Sequence, residues 1–339
     1  MDPVEALRRI AFLLERRREE TYRVKAYRTS ADALAALPEG EAVERALAGT
    51  LTELKGVGPK TASVAAEAAA GELPAYLVEL EAGAEGPVTA GGAALRTLLR
   101  GDLHTHSDWS DGGSPVDEMA RAARDLGHEY VVLTDHSPRL TVANGLSPAR
   151  LRTQLDLVAG LNAELAPFRL LTGIEVDILD DGSLDQEDEL LAQLDVVVAS
   201  VHSKLKMPAA DMTRRMVAAV ANPHTDVLGH CTGRLVTGGR GTRGESQFDA
   251  ELVFEACRQF GVAVEINSRP ERLDPPRRLL RLAVETGCLF SVDTDAHAPG
   301  QLDWQPYGCE RAEECAVPAD RVVNTKPVDE LLSWTARHT

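Results

Sequence analysis

Residues 102–112 read Asp-Leu-His-Thr-His-Ser-Asp-Trp-Ser-Asp-Gly, and this stretch decides the fold of the chain. It predicts a short strand over 101–104 that ends at His104 and is followed by His106 and Asp111 in a polar loop. In barrel enzymes the active site lies where the loops after the strands meet. A strand that ends in metal-ligating side chains therefore predicts an α/β enzyme, provided that the rest of the chain repeats the pattern.

The pattern repeats through the remainder of the chain. Short β-branched runs that end in polar residues predict six further strands, over 130–134, 170–174, 196–201, 226–229, 262–266 and 289–292. Helical patterns lie between strands, for example over 115–126, 149–165 and 248–260. Seven alternating β/α units indicate either an α/β barrel or a doubly wound sheet.

Histidines and acids concentrate at the predicted strand ends. Six of the nine histidines lie at, or within three residues of, such an end: His104, His106, His136, His202, His230 and His297. The acids found there are Asp111, Asp135, Glu175, Asp177, Asp293 and Asp295. A single strand-end histidine is more often structural, but six on different strands predict convergence at one rim. Imidazoles and carboxylates together are typical ligands of zinc, manganese or iron.

The number of these side chains bears on the chemistry. Three or four ligands serve one catalytic zinc, whereas eight or nine can hold two or three ions. Clustered divalent ions about 3.5–4 Å apart suit in-line attack on phosphorus, because they neutralise both the entering and the leaving oxygen. The rim therefore favours phosphoester hydrolysis over amide or ester hydrolysis, and an amidohydrolase barrel is the alternative at this point.

Six motifs in chain order carry a resemblance to a known family. They are Asp102–Gly112, Thr134–His136, Gly173–Asp177, Ser200–Ser203, Gly229–Arg234 and Asp293–His297. Together they resemble the PHP (polymerase and histidinol phosphatase) superfamily across essentially all of residues 98–339. The resemblance implies a distorted, TIM-like (β/α)7 barrel, phosphoesterase activity and three divalent metal ions, zinc or manganese, with iron also compatible.

The resemblance also implies a ligand set. One ion would be held by His104, His106, Glu175 and Asp295, a second by Glu175, His202 and His230, and a third by Asp111, His136 and His297. Glu175 would thus bridge two ions and take a direct part in catalysis. The residues themselves agree with this assignment, because a carboxylate can bridge two cations through its two oxygens.

Basic residues near the motifs are candidates for binding a phosphate group. The resemblance places such residues beside the metal ions, and Arg234 and Arg269 fit, with Lys204 a weaker candidate. A guanidinium can donate two parallel hydrogen bonds to phosphate oxygens. The alternative for each is a surface salt bridge. We expect Arg272 to tie a loop together and Cys231 to be a small buried apolar side chain.

Charge is distributed unevenly along the chain. The formal net charge is −17, yet residues 1–60 carry eleven Lys and Arg against ten Asp and Glu. Residues 61–339 carry 25 against 43, and eight of the basic residues at the N-terminus lie between Arg8 and Arg28. Such segregation indicates either a nucleic-acid-binding surface or a solvated helix face.

The N-terminal residues predict a small all-α domain over 1–81. Helical patterns over 3–19, about 29–37 and 42–50 precede Lys55-Gly56-Val57-Gly58-Pro59-Lys60 and an alanine-rich helix. Glycines between two helices are typical of a helix-hairpin-helix, which binds backbone phosphates without reading sequence. Residues 82–97 lack periodicity and bulk, and they predict a flexible linker.

Residues 22–31 add a second resemblance, to the N-terminal domain of family X DNA polymerases. It implies DNA contacts by Arg23, Lys25, Tyr27 and Arg28, together with Lys55, Gly56, Gly58 and Lys60 at the hairpin. No paired-aspartate polymerase motif follows, so we expect no polymerase activity. Val64 stands where lyase-active relatives carry a lysine, and we therefore expect no lyase activity by that route.

Three hypotheses for function follow. The favoured one is a metal-dependent phosphoesterase acting at DNA ends or gaps, as a 3′–5′ exonuclease or 3′-phosphatase, through a metal-bridged hydroxide. The alternatives are a small-molecule phosphatase of histidinol-phosphatase type, with the N-terminal domain as scaffold, and a non-catalytic DNA-binding protein, which would require lost ligands. Five cysteines without a C-x-x-C pair, and the lack of a signal peptide or apolar span, predict a cytoplasmic protein without a membrane partner.

Overall fold

The computed structural model describes residues 1–84, 86, 88–238 and 241–336. The chain divides into two compact units, Met1–Pro87 and Val88–Thr339. The first unit is helical, and the second alternates strands with helices. Within the described ranges, no helix combines the length and the apolar character needed to cross a membrane.

Five helices pack around one apolar core in the first unit. They are α1 Pro3–Arg16, α2 Thr21–Ala35, α3 Glu41–Ala48, α4 Pro59–Ala69 and α5 Ala75–Ala82, with a 3-10 turn over Leu51–Glu53. Helix α1 begins where the Asp2 carboxylate accepts hydrogen bonds from the amides of Val4 (2.8 Å) and Glu5 (3.2 Å). Its apolar stripe, which includes Leu7 and Ile10, is fully buried.

Two of these helices differ from their predicted bounds. Helix α1 ends at Arg16 rather than at 19, because the chain turns at Arg18, where φ is +60°. Helix α2 begins at Thr21 rather than near 29, since its first two turns are mostly polar and show little apolar periodicity. Tyr27, Ala31 and Leu34 anchor it to the core of the unit.

The predicted hairpin lies between the 3-10 turn and α4. Gly56 has a φ of +94°, and a Cβ atom there would lie 2.7 Å from Cγ2 of Thr29, so the turn requires glycine. The amide of Gly58 donates to Oγ1 of Thr61 (3.1 Å), which satisfies one donor at the start of α4. Ser30 holds the turn against α2 by donating to the Gly56 carbonyl (2.9 Å).

The sheet of the second unit consists of seven parallel strands in sequential order. They are β1 Gly101–Thr105, β2 Tyr130–Leu133, β3 Arg169–Asp177, β4 Val196–Ser200, β5 Val227–Leu228, β6 Ala263–Asn267 and β7 Leu289–Asp293. The first and last strands meet: the Leu103 amide donates to Oδ1 of Asp293 (2.9 Å), and Thr105 pairs with Ala296. The sheet is therefore a nearly closed barrel, which confirms the predicted fold and excludes the doubly wound alternative.

Helices surround the barrel, and its strands are buried on both faces. The helices are α6 Ala93–Arg96, α7 Val116–Asp125, α8 Pro148–Leu165, α9 Asp188–Leu191, α10 Ala209–Val220, α11 Ala250–Phe260, α12 Arg277–Thr286, α13 Gln305–Glu314 and α14 Val328–Thr335. Short 3-10 turns cover Thr141–Ala143, Pro299–Trp304, Ala319–Arg321 and Val323–Thr325. Along β2, Val132 belongs to one apolar cluster, and its neighbours Val131 and Leu133 belong to another. This alternation fills the barrel on one face of the strand and packs helices on the other.

The predicted linker over 82–97 is wrong in its second half. The amides of Gly91 and Gly92 donate to Glu310 (3.1 Å) and Glu313 (2.5 Å) of α13, and Leu95 is buried in the barrel core. A Cβ atom at Gly92 would lie 2.3 Å from the Glu310 backbone nitrogen. The glycines thus serve close packing rather than flexibility. Within the predicted linker, residues 85 and 87 lie outside the described part of the chain.

Two predicted DNA contacts, Tyr27 and Arg28, belong instead to the core of the first unit. Tyr27 is 7% exposed and stacks on Tyr76 with ring centroids 6.0 Å apart. Arg28 forms a two-point ion pair with Glu15 (2.9 and 2.8 Å), and both side chains are almost completely buried. Neither side chain is exposed for contact with DNA, because helix packing uses both.

We predict that Arg28→Ala destabilises the first unit by about 3 kcal/mol, because it leaves the Glu15 carboxylate buried without its partner. Denaturant unfolding of the full chain measures this change. Lys25→Ala, an exposed substitution on the same helix, is the control and should change stability by less than about 0.5 kcal/mol. Equal effects of the two substitutions would contradict the structural role of Arg28.

Candidate metal centre

All nine predicted metal ligands lie at the carboxyl-terminal rim of the barrel. They are His104 in β1, His106 and Asp111 in the loop after it, His136 after β2, Glu175 in β3, His202 after β4, His230 after β5, and Asp295 and His297 after β7. Most are completely buried, and Asp111, His202 and His297 are the partly exposed ones. Parallel strands bring these ends to one place, which is why residues two hundred positions apart meet.

Glu175 lies at the centre of this group, and its two oxygens face different histidines. Oε2 lies 3.3 Å from Nε2 of His104 and 3.5 Å from Nε2 of His106. Oε1 lies 3.1 Å from Nε2 of His202 and 2.9 Å from Nε2 of His230. This is the arrangement expected of a carboxylate shared between two ion positions.

A further group forms beside it around Asp111. Oδ1 of Asp111 lies 3.4 Å from Nε2 of His136 and 3.3 Å from Nε2 of His297. Nε2 of His106 lies 3.5 Å from Oδ1 of Asp295, which adds a carboxylate to the first group. His106, Asp111, His136 and His297 bring one ligand atom each within 4.8 Å of one another.

The donor atoms fit divalent cations. Within the described residues, no hydrogen bond satisfies the buried Nε2 atoms of His104, His106, His202 and His230 or either oxygen of Glu175. Ligands bound about 2.0–2.2 Å from a tetrahedral ion are separated by about 3.3–3.6 Å, close to the spacings found here. Buried polar atoms without partners are costly, and coordination of a cation would satisfy all of them at once.

The carboxylates of the site favour positive charge at His104 and His136. Burial alone would lower the pKa of His104, but the carboxylates of Glu175 and Glu265 outweigh burial and raise this pKa well above its ordinary value. Burial likewise opposes the shift at His136, where Glu175 and Asp111 raise the pKa to about 10. The same acids that hold protons on these imidazoles would bind a divalent cation in their place, with release of the protons.

Other strand-end acids support the ligands rather than join them. Asp135 accepts hydrogen bonds from the Ser107 amide (2.8 Å) and the hydroxyls of Ser107 and Ser110 (2.6 and 2.5 Å), which fixes the loop after β1. Oδ1 of Asp177 accepts from the His202 amide (3.2 Å). These contacts set the direction of the metal-ligating side chains without adding donor atoms.

Two residues at the site were not predicted there. Glu265 in β6 lies 2.6 Å from Nδ1 of His104, and Nε of Arg272 donates to Oδ2 of Asp295 (2.8 Å). The signal for Glu265 was its place in the middle of a buried strand, where a charged side chain needs a partner. Arg272, expected to tie a loop, instead holds the pKa of Asp295 well below its usual range despite the opposing effect of burial.

Arg234 has the role that was expected of Arg272. It donates from Nε to the Arg272 carbonyl (3.1 Å) and from a second nitrogen to the Leu273 carbonyl, so it fixes the loop after β6. Two of its nitrogens are thus occupied by backbone carbonyls, and phosphate binding by Arg234 stays a prediction that these contacts disfavour. Lys204 is exposed and pairs with Asp180.

Arg269 and Cys231 lie close to the ligands. Arg269 donates to the Asp295 carbonyl (2.7 Å) and lies 2.9 Å from Nδ1 of His297, so it stays a candidate for phosphate binding. Cys231 is buried, and burial together with Asp274 raises the pKa of its thiol well above the ordinary value. It is a small apolar side chain, as the sequence suggested.

In the first unit the remaining predicted DNA contacts differ in exposure. Arg23 bonds Glu19 (2.5 Å) and the Tyr76 hydroxyl (2.7 Å) within its own unit. Lys25, Lys55 and Lys60 are exposed, and the last two flank the turn that contains Gly56 and Gly58. The three lysines are thus the predicted cations that helix packing does not use.

Comparisons with known proteins agree with this division of the chain. Residues 1–72 match a helix-hairpin-helix domain family, and residues 102–269 match the PHP domain family. DNA polymerase/3′-5′ exonuclease PolX of Bacillus subtilis (strain 168) is 38% identical over 240 residues, which is 71% of this chain and 41% of the relative. The chain thus spans about two fifths of the length of that polymerase.

Smaller relatives match the chain over most of their length. A protein named as a probable phosphatase from Thermoanaerobacter sp. (strain X514) is 28% identical over 236 residues, 66% of this chain and 89% of the relative. The solved structure of histidinol phosphate phosphatase from Lactococcus lactis subsp. lactis, complexed with zinc, L-histidinol and phosphate, is 18% identical. The structural match covers 65% of this chain and 94% of the phosphatase chain, with a TM-score of 0.46.

We predict that Glu175→Gln removes two ions from the centre, because an amide offers one weak oxygen ligand where the carboxylate faces two histidine sets. Elemental analysis after dialysis against metal measures the loss. Glu285→Gln, an exposed change on α12, is the control and should keep the wild-type content. Retention of the full metal content by Glu175→Gln would contradict the bridging position of Glu175.

Proposed function

We propose that the chain is a metal-dependent phosphoesterase acting at DNA ends or gaps, because residues 102–269 match the PHP domain family and residues 1–72 match a helix-hairpin-helix domain family. It would hydrolyse a 3′-terminal phosphodiester or remove a terminal phosphate. The observation that carries the proposal is the position of Glu175, whose Oε1 faces His202 and His230 while its Oε2 faces His104, His106 and His136. A site with several adjacent cation positions suits phosphoryl chemistry better than acyl chemistry.

The proposal includes three divalent ions, zinc or manganese, with iron also compatible. The donor set is histidine nitrogen and carboxylate oxygen without a thiolate, which suits all three metals. When bound, the ions would lower the pKa of a coordinated water and neutralise phosphate oxygens. The protein's part is to hold the nine ligands in place and to position the substrate.

We propose that Arg269 and Arg272 position the phosphate group. Both guanidinium groups contact Asp295 or its backbone at the rim, and their side chains are 16% and 15% exposed. A partly exposed guanidinium fixed beside metal ligands can donate to phosphate oxygens without a large loss of side-chain entropy. Arg272 thus replaces Arg234 in the predicted phosphate-binding pair.

The proposed contact with DNA rests on the hairpin of the first unit. Lys25, Lys55 and Lys60 are exposed, and α4 presents its N-terminus at the glycine turn. Backbone amides at a helix N-terminus and nearby lysines bind phosphates regardless of base sequence. The likeness to an exonuclease-containing polymerase supports the same substrate class.

A small-molecule phosphatase is the second candidate. It is favoured by the relatives named as probable phosphatases, which match the chain over about nine tenths of their own length. Under this alternative the first unit would be a scaffold. The two candidate functions differ in one expectation: only a DNA-processing enzyme should need Lys25, Lys55 and Lys60 for hydrolysis of its substrate.

We predict that the triple substitution of Lys25, Lys55 and Lys60 by Ala weakens DNA binding and reduces its salt dependence. Each lost phosphate contact lowers the log–log salt slope by about 0.7–0.9. Hydrolysis of a small chromogenic phosphate ester should stay at the wild-type rate. The control carries Ala at Arg124, Arg214 and Arg258, three exposed arginines on outer barrel helices, and should bind DNA as the wild type does.

The relative effects on the two substrates decide between the candidates. An equal loss of hydrolysis rate on DNA and on the small ester would contradict a DNA-docking role of these lysines. Unchanged DNA cleavage by the triple variant would favour the small-molecule phosphatase.

Arg272 and Arg234 should respond differently to substitution, because one is proposed to position phosphate and the other fixes a loop. Arg272→Ala should weaken competitive inhibition by inorganic phosphate by roughly 10–100-fold, the effect of losing a charged hydrogen bond. Arg234→Ala should lower the melting temperature through loss of its carbonyl bonds and leave phosphate inhibition nearly unchanged. The reverse pattern would restore Arg234 as the phosphate ligand.

A further inference from the structure

A buried carboxylate lies directly behind the candidate metal ligands. Glu265 is in β6 and is completely inaccessible to solvent. Its Oε1 lies 2.6 Å from Nδ1 of His104, on the side of the ring opposite Nε2. Its Oε2 accepts hydrogen bonds from the His230 amide (2.5 Å) and from Nδ2 of Asn267 (3.2 Å). Three donors therefore converge on one side chain that lacks contact with solvent.

The first of these contacts determines the tautomer of His104. A carboxylate accepts only, so the Nδ1 atom that faces Glu265 carries the proton. In the neutral ring that a metal ion requires, Nε2 is then the lone-pair nitrogen, and it is the atom that lies 3.3 Å from Oε2 of Glu175. A carboxylate behind a metal-binding imidazole fixes ring orientation and makes the ligating nitrogen more basic.

The other two contacts reach the second histidine set and the rim aspartate. The His230 amide bond fixes the backbone that places Nε2 of His230 at 2.9 Å from Oε1 of Glu175. Asn267, held by Glu265, donates to Oδ2 of Asp295 (3.2 Å). A single carboxylate thus supports residues on both sides of Glu175.

We propose that Glu265 is a positioning residue that holds His104 and His230 in their metal-binding geometry and so couples the two ion positions that share Glu175. The inference rests on the proposed metal dependence but on neither candidate substrate. Glutamine cannot take over this role: its amide offers one acceptor oxygen and one donor group, whereas three donors face the carboxylate. At least one of the three contacts would become a repulsion between two N–H groups.

The test measures metal binding and metal-free stability separately on the full chain. Metal-free wild type, Glu265→Gln and Glu265→Ala are titrated with Zn²⁺ and with Mn²⁺ in a calorimeter, and each melting temperature is recorded in chelator and at saturating metal. Asp226→Asn is the matched control, because Asp226 is also a buried acid, accepts the Val197 amide (2.8 Å) and lies at the opposite end of the barrel.

We expect Glu265→Gln to weaken metal affinity by 10–100-fold, the usual effect of removing such a partner. Its melting temperature in chelator should fall only by the cost of the altered hydrogen bond. Its melting temperature at saturating metal should fall further, because the gain on adding metal shrinks. The control should show wild-type affinity.

Wild-type affinity in Glu265→Gln would overturn the inference. An equal fall in melting temperature in chelator and at saturating metal would also overturn it. Glu265 would then stabilise the fold in general rather than the metal-binding geometry. A wild-type chain that binds neither metal would remove the proposed function as well, so the two failures are distinguishable.

Discussion

The negative charge of Glu175 in the interior of the barrel mouth is the constraint on which the rest of the site depends. A carboxylate buried this deeply is stable only if positive charge surrounds it. Burial would raise the pKa of Glu175, yet His202, His104 and His136 together hold it well below the usual range. Each of these histidines comes from the end of a different strand. They surround Glu175 only when the barrel is assembled, so the buried charge is balanced only in the folded state.

Arginines hold the loops that carry these ligands. Arg215 in α10 is fully buried and donates to the carbonyls of Ile178, Leu179 and Ser203, which joins the loops after β3 and β4. Arg234 does the same for the loop after β6. A guanidinium has five donors in a fixed plane, which lets one side chain satisfy several carbonyls of an irregular loop. These hydrogen bonds fix the rim loops to one another.

Much of this arrangement could be predicted from the sequence. The seven strands follow from short β-branched runs, and the nine candidate ligands follow from their position at strand ends and from the family motifs. Supports such as Glu265 were missed because only the folded barrel shows that it lies behind His104. The exchange of roles between Arg234 and Arg272 has the same cause, since loop conformation decides which arginine reaches Asp295.

The first unit shows a different limit of sequence reasoning. Its basic segment predicted a DNA-binding face, but Arg28 neutralises a buried acid and Arg23 bonds residues of its own unit. Net charge along a sequence does not distinguish cations that stabilise helix packing from those that face solvent. Lys55 and Lys60 beside the glycine turn are exposed in the structure, and their contact with DNA stays a prediction.

Anomalous X-ray diffraction from crystals of the full chain grown with Zn²⁺ tests the central claim most directly. The account predicts separate peaks on the two sides of Glu175, one about 2.0–2.2 Å from Nε2 of His104 and the other at that distance from Nε2 of His230. A single peak away from Glu175, or histidine rings turned out of the barrel mouth with no peak between them, would contradict it.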